Sequence, residues 1–216
     1  KQANWRSGFL ATPVLLPAAT LHLDNGTLRW DPVSFSFAAV KGTATLQVPP
    51  PCDAPAECNP QFTLKFASLD AGALQSALLG AHRNGSLLSS LLARFDSSSA
   101  PLWPRLEGSI QADTIDLGPL TLHNVVADMR ILPTGADVTS FDANTLGGTL
   151  SGSASLDAGD KPAYTLDGEL AQINPAQLGQ LFGMKWTGGN ISGSAHVQLA
   201  GHTQKDFSST ASGTLP

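Results

Sequence analysis

Charged side chains are scarce in this sequence of 216 residues. They make up 13% of it, against roughly 25% in an average soluble domain. The 12 lysines and arginines are scattered and are outnumbered by 17 acidic residues, so no basic stripe is present with which to bind a nucleic-acid backbone. Apolar content is ordinary at 42%, which excludes the composition of disordered chains. Polarity therefore comes from Ser, Thr, Asn and Gly, a mixture typical of β-sheets with small polar residues on one face.

Long apolar runs are also missing. No stretch approaches the roughly 18 consecutive apolar residues of a transmembrane helix. Residues 9–19 are apolar, but Pro13 and Pro17 interrupt them and the flanking pattern is not that of a signal peptide. We interpret a chain that begins at Lys1 and ends at Pro216, just after a strand-like run, as a piece of a longer protein. Any membrane anchor is then expected outside it.

The spacings that accompany catalysis are absent as well. The five histidines never fall at i, i+4; His196 and His202 could share a sheet edge, although surface histidines are the plainer interpretation. The string 189–193 comes nearest to a hydrolase nucleophile elbow but has the wrong register. Three glutamates and few aromatic residues weigh against a glycosidase. We therefore expect no enzyme activity, no catalytic residues, no cofactor and no metal site.

Only two cysteines are present, Cys52 and Cys58, in a proline-rich stretch. Close cysteine pairs in proteins outside the cytoplasm usually staple a loop, so we predict a Cys52–Cys58 disulfide and an oxidising compartment. Two unpaired thiols are the alternative. Zinc is less favoured, because no second Cys or His pair follows at ligand spacing.

A unit that occurs twice is the most informative positive feature. Residues 62–80 and 164–183 each read as an alternating strand, a helix N-cap (Asp70 or Asn174) and a short helix that stops at a glycine. The predicted helices cover 71–79 and 175–182, and 87–95 has the apolar spacing of a further amphipathic helix. The polar stretch 96–101 is the best candidate for a segment boundary.

Alternating strands fill most of the remaining sequence. Asp24-Asn25-Gly26 lies between two alternating runs and predicts a hairpin. The apolar alternation changes phase between Leu122 and Val125, which predicts a bulge near residues 123–124. We predict a mainly β fold: an elongated, curved antiparallel β-sheet, groove-like, with a few short amphipathic helices. Residues 1–105 would form an N-terminal groove segment with the helices and the cysteine loop, and 106–216 a C-terminal β segment.

Glycines inside the predicted strands allow two interpretations. Gly148, Gly152, Gly168 and Gly193 could permit strong bending and close approach of a ligand to the sheet face. They could equally mark bulges at a sheet rim.

Residues 117–215 resemble the C-terminal conserved region of AsmA-like proteins. The resemblance lies in the order of 117–125 (Leu-Gly-Pro-Leu-Thr-Leu-His-Asn-Val), 146–152 (Leu-Gly-Gly-Thr-Leu-Ser-Gly), 166–183 and 191–193. It implies a periplasmic protein attached to the inner membrane through a segment absent here. It also implies a long curved sheet whose groove has an apolar floor, and a part in phospholipid movement and outer-membrane integrity.

A groove for acyl chains needs a continuous apolar strip, because each buried CH₂ favours binding by about 0.8 kcal/mol. One parity of the strands would supply it, and a phospholipid or other acyl-chain ligand would be the partner, with envelope proteins as further partners. The alternative is that the same residues fill a sandwich core without a ligand. The candidate floor residues are Leu64, Phe66, Leu106, Ile110, Leu120, Leu122, Met129, Ile131, Leu150, Leu156, Leu166, Leu170, Ile191, Val197 and Leu199.

Two other functions stay open on the sequence. A structural or interaction module could help assemble outer-membrane proteins by offering a sheet edge to a peptide. An enzyme on a β scaffold would require a cleft with a perturbed carboxylate or histidine.

Overall fold

The computed structural model describes residues 3–5, 13–50, 58–70, 72–74, 105–157, 162–181, 183–201, 206 and 209–214. Within them the chain forms thirteen strands and one complete short helix, α1 (Pro175–Leu181). The strands are β1 (Ala3–Trp5), β2 (Val14–Leu16), β3 (Leu21–Asp24), β4 (Thr27–Phe37), β5 (Val40–Val48), β6 (Gln61–Asp70), β7 (Leu106–Asp116), β8 (Thr121–Leu132), β9 (Gly135–Thr145), β10 (Gly148–Asp157), β11 (Ala163–Ile173), β12 (Ile191–Ala200) and β13 (Ser212–Thr214).

All of these strands belong to a single open, curled sheet. The strands follow one another in chain order from β1 to β13, except that β2 and β3 both pair with β4. Every pair is antiparallel except β6 and β7, which run parallel. The predicted mainly β, antiparallel, curved sheet is confirmed. The parallel pair joins the two predicted segments, 1–105 and 106–216, into one sheet.

Register shifts keep the apolar residues on one face. In β4 the apolar positions change parity between Trp30 and Val33, where the pairing with β5 also shifts. The same coincidence occurs in β8 between His123 and Val126, as the sequence predicted. There Asn124 adopts a positive φ of 51°. A bulge inserts one unpaired residue and so returns an out-of-phase strand to the correct face.

Two further strands show the same correction. The β9 parity changes between Val138 and Phe141, opposite a shift between Gly152 and Ala154 of β10. In β11 the shift falls between Leu170 and Ile173. We conclude that burial on one common face, and not strict alternation, decides the backbone course of these strands.

The hairpin turn and the helix N-caps predicted from the sequence are present in the structure. Asn25 and Gly26 both have positive φ (49° and 81°), as a type I′ hairpin turn requires. The Asp70 carboxylate accepts a hydrogen bond from the Ala73 N–H (2.6 Å), and the Asn174 side chain accepts one from the Ala176 N–H (2.9 Å). Both predicted N-caps are therefore confirmed, and the helix that Asn174 opens is described over 175–181 of the predicted 175–182.

The buried core is small and lies at one end of the sheet. Phe37, Val40, Phe66, Ala112 and Val125 belong to it, and Phe35 meets the Phe66 ring edge-on at 5.9 Å between centroids. Ala73 and Leu74, from the start of the predicted first helix, pack against this cluster. These two residues therefore cover part of the core end of the sheet.

The rest of the sheet is open to solvent. The accessible surface is 13270 Å² for a chain of 22.4 kDa, whereas a compact monomer of that mass exposes about 9400 Å². A curved single layer that no second layer of the described residues covers contributes to this excess.

Several predictions lie outside the described residues or were incomplete. Residues 75–80, the 87–95 helix, the 96–101 linker and Cys52 are outside, so the Cys52–Cys58 disulfide stays a prediction. The sequence analysis missed β1, β2 and β9. In β9 the bulge interrupts the alternation by which a strand is recognised.

Gly152 provides a test of the close approach of β10 to β11. A Cβ there would overlap the backbone oxygen of Asp167, whereas a Cβ at Gly168 would come no closer than 3.9 Å to another residue. We expect Gly152→Ala to lower the free energy of unfolding by about 1–3 kcal/mol, because the backbone must shift. Gly168→Ala should change it by less than about 1 kcal/mol. Urea unfolding of both variants measures the difference, and equal stabilities would contradict the assignment.

Candidate functional site

One face of the sheet carries an apolar strip that crosses ten strands, and we call it the apolar face. Its centre is the row in which Leu64 pairs with Ile110 and Ile110 with Ala127. Directly opposed residues project to the same side of a sheet, so the register places each of them without further assumption. Phe66 and Leu106 lie on this face by alternation along their strands.

The strip continues on both flanks of this row. Toward β12, Leu150 pairs with Leu170, and the row of Leu166 and Val197 runs parallel to it. Toward β3, Trp30 lies between Leu21 and Leu46. By pairing and alternation, the predicted residues placed on the apolar face are Leu64, Phe66, Leu106, Ile110, Met129, Ile131, Leu150, Leu156, Leu166, Leu170, Ile191, Val197 and Leu199.

Two predicted floor residues have different surroundings. Leu120 lies in the turn before β8, where its carbonyl accepts a hydrogen bond from the Leu117 N–H (2.8 Å). Leu122 pairs with Ile115 and follows the parity of the opposite face, and both residues pack against the core cluster. These two belong to the covered end of the sheet more than to its open strip.

The open strip is only partly shielded. Leu64, Ile110, Met129 and Ile131 are half-buried, and Leu166 is 44% exposed. A side chain in a closed sandwich core would be almost completely buried. Within the described residues, therefore, these side chains do not meet a second protein layer.

Sequence reasoning missed several members of the strip. Trp30, Phe62, Phe141 and Tyr164 share the face by register. Tyr164 lies between Leu156 and Leu199, in a row of otherwise aliphatic side chains. Period-two alternation alone could have found Phe62 and Tyr164, whereas Trp30 and Phe141 each lie next to a bulge that hides their phase.

Near β11, glycines reduce the number of apolar side chains in the strip. By register Gly168 lies beside Gly152 on the apolar face, and Gly193 lies beside Leu170. Around Gly193 no atom comes within 4 Å of the position that a Cβ would take. Gly152 sits at a register shift, so the bulge interpretation holds there. At Gly168 and Gly193 the sheet face is open to a close approach.

The opposite face is mainly polar, and its side chains supply most of the lining of two cavities. Each has a volume of about 400 Å³. The first contains the pair of Arg130 and Glu107, with 3.3 Å between Nε and Oε1, and the second contains His196 and Asp167, with 2.5 Å between Nδ1 and Oδ1. These half-exposed pairs join neighbouring strands and are the kind that contributes little stability. Of the predicted floor residues, only Met129 is among those that line these two cavities.

Metal-binding clusters are not found in the part of the chain that the structure describes: no group of three His, Cys, Asp or Glu side chains converges there. His196 pairs with Asp167, while His202 is outside the described residues.

Comparison with known proteins adds no relative: the chain matches no protein-family model, no curated protein and no solved structure. Among the described residues, no helix is both long and apolar enough to span a membrane.

Tyr164 provides a probe of burial on the apolar face. Burial raises the pKa of its phenol from 10.0 to about 12, because desolvation disfavours the phenolate. This is the only tyrosine in the sequence. We expect its near-ultraviolet phenolate absorbance to appear near pH 12 in the folded protein and near pH 10 in denaturant.

Because the folded-state pKa is raised, stability from the neutral phenol is complete below pH 10 and is lost as the pH rises toward 12. Circular dichroism at each pH should show whether the chain is still folded, and Tyr164→Phe should remove the absorbance change. Ionisation near pH 10 in the folded chain would contradict the buried position of the phenol.

Proposed function

We propose that this chain is the lipid-handling part of an AsmA-like envelope protein of the periplasm. Its apolar face would hold the acyl chains of phospholipid and so support their movement between membranes and the integrity of the outer membrane. A membrane anchor and the predicted Cys52–Cys58 disulfide belong to the same proposal. The observation that carries it is the continuous apolar strip from β3 to β12, which is left half-exposed in water.

The size of the strip supports a hydrocarbon ligand. Ten strands spaced about 4.8 Å apart give a width of roughly 43 Å along the sheet, longer than an extended acyl chain needs. Each CH₂ that moves from water onto the strip contributes about 0.8 kcal/mol. Leu166, Ile191 and Leu21 are large apolar residues exposed on this face. Covering them with hydrocarbon would remove an unfavourable contact with water.

Leu166→Glu tests the proposal. Leu166 is exposed near the middle of the β10–β12 part of the strip, so a carboxylate there would place a charge against bound acyl chains. Loss of a buried leucine costs about 1.5–3 kcal/mol, which predicts an affinity for a short-chain fluorescent phosphatidylcholine at least about tenfold weaker. The measurement is fluorescence titration of delipidated protein below the micelle concentration of the lipid.

The matched control is Thr165→Glu, which adds the same side chain one residue away on the opposite face. It should bind the lipid like the unaltered protein. Mass spectrometry of the purified protein should also detect co-purified phospholipid. Equal affinities of the two glutamate variants, or an unaltered protein that takes up no lipid, would refute the proposal.

A second candidate function rests on the β12 edge. β13 pairs with residues 196–198 of β12, and in the described part of the chain no strand pairs with the outer edge of 191–195. An edge of this kind can add a peptide strand, as a module for outer-membrane protein assembly would. A protein that binds an extended peptide and shows no binding of phosphatidylcholine would favour this function over lipid handling.

A further inference from the structure

The described turns at one rim of the sheet carry almost no charge. Strands β6 and β7 end at this rim, and β8, β10 and β12 begin there. Its described turns are residues 38–39, 117–120, 146–147 and the loop 183–190 that follows α1. Turn tips are normally polar. Among the turn residues that the structure describes at this rim, Lys185 is the only charged one.

Large apolar side chains are exposed at the same turns. Leu117 is 43%, Met184 is 52% and Trp186 is 38% exposed. We call these three residues, together with Ile191 at the start of β12, the apolar rim. The turn with Leu117 and the loop with Met184 are four strand spacings apart, about 19 Å along the sheet. The exposed groups therefore form a row and do not line a pocket.

The backbone fixes the loop that carries Met184 and Trp186. α1 ends in a Schellman motif: Gly183 has a φ of 67°, the Met184 N–H donates to the Gly179 carbonyl (2.8 Å), and the Gly183 N–H donates to the Gln180 carbonyl (3.2 Å). The chain then folds back so that a Cβ on Gly179 would lie 3.2 Å from Cγ of Trp186. The apolar side chains are therefore presented by an ordered turn.

The acidic side chains at the strand ends of this rim accept hydrogen bonds within the protein. Asp70 caps the helical turn through Ala73, and Asp116 accepts a hydrogen bond from the Thr121 hydroxyl (2.9 Å). The strand ends of the opposite rim differ, because they carry a mixed set of charges: Asp24, Arg105, Glu107, Arg130 and Asp157. The two rims therefore differ in polarity: the first suits an apolar environment and the opposite one suits water.

We propose that the apolar rim docks on the surface of a zwitterionic phospholipid bilayer. Trp beside Lys, with Met, Leu and Ile nearby, is the combination that settles at the boundary between headgroups and acyl chains. A single lysine gives no preference for anionic lipid, and a row of separate tips meets a plane better than a partner with one deep pocket. Ile191 also belongs to the apolar face, so the rim and that face are continuous. Docking does not require the apolar face to hold acyl chains.

Vesicle flotation tests the docking. The full chain is mixed with phosphatidylcholine vesicles, and the bound fraction is measured at low and high salt. We expect binding that changes little with salt, because one lysine contributes little electrostatic attraction. Leu117→Glu and Met184→Glu should each lower the partition coefficient about tenfold, since each removes one buried apolar anchor. Quenching of tryptophan emission by brominated lipid should decrease in Trp186→Phe.

The matched control is Leu23→Glu, which alters a leucine that is 71% exposed at the opposite rim. It should float like the unaltered protein. Leu166→Glu should lose the binding of short-chain lipid and still float, so failure of the proposed function and failure of the docking are distinguishable. Unaltered flotation of both rim variants would overturn the proposal. So would an unaltered protein that ignores vesicles and forms a dimer that the rim variants break, since a second copy would then cover the rim.

Discussion

The arrangement of this protein depends on keeping the apolar side chains of a single sheet on one side. Strict alternation would not achieve this, because the apolar positions of β4, β8, β9 and β11 change parity within the strand. Each change coincides with a register shift. A left-handed residue assists in two of them, Asn124 in β8 and Gln172 in β11. The free energy of burying apolar surface on a common face exceeds the cost of interrupting the hydrogen-bond ladder.

A single layer leaves the fold with a small core and a large surface. The cluster around Phe37, Phe66 and Val125 is buried only at the end where Ala73 and Leu74 cover it. Elsewhere the strands are held by cross-strand pairing, in which backbone hydrogen bonds and opposed side chains contribute a little at each position. Open curvature is therefore compatible with stability here because the sheet is long, and not because its interior is closed.

The distribution of polarity divides the surface into regions with different chemistry. The polar face holds the Arg130–Glu107 ion pair, the His196–Asp167 hydrogen bond and most of the lining of the two cavities. The apolar face holds the strip, and the apolar rim extends that strip to the turns around Leu117 and Met184. Hydrocarbon is the chemistry common to the strip and the rim. This agreement is why we propose lipid handling on one face of the sheet and bilayer contact at one end of it.

The sequence by itself determined the class of structure and many local features: the β content, the Asn25-Gly26 hairpin, the N-caps Asp70 and Asn174, and the bulge beside Asn124. These features depend on neighbouring residues, so a local pattern reveals them. It also predicted most of the apolar strip, because the residues of unshifted stretches such as Leu64 and Phe66 alternate plainly. Tertiary structure decided the rest. The parallel pairing of β6 with β7, the membership of Trp30 and Phe141 in the strip, and the gathering of described turns with a single charged residue at one rim all depend on pairing between strands. The register between strands and the positions of the bulges depend on burial of the apolar face as a whole. No single stretch of sequence carries that information, because the face is built from many strands.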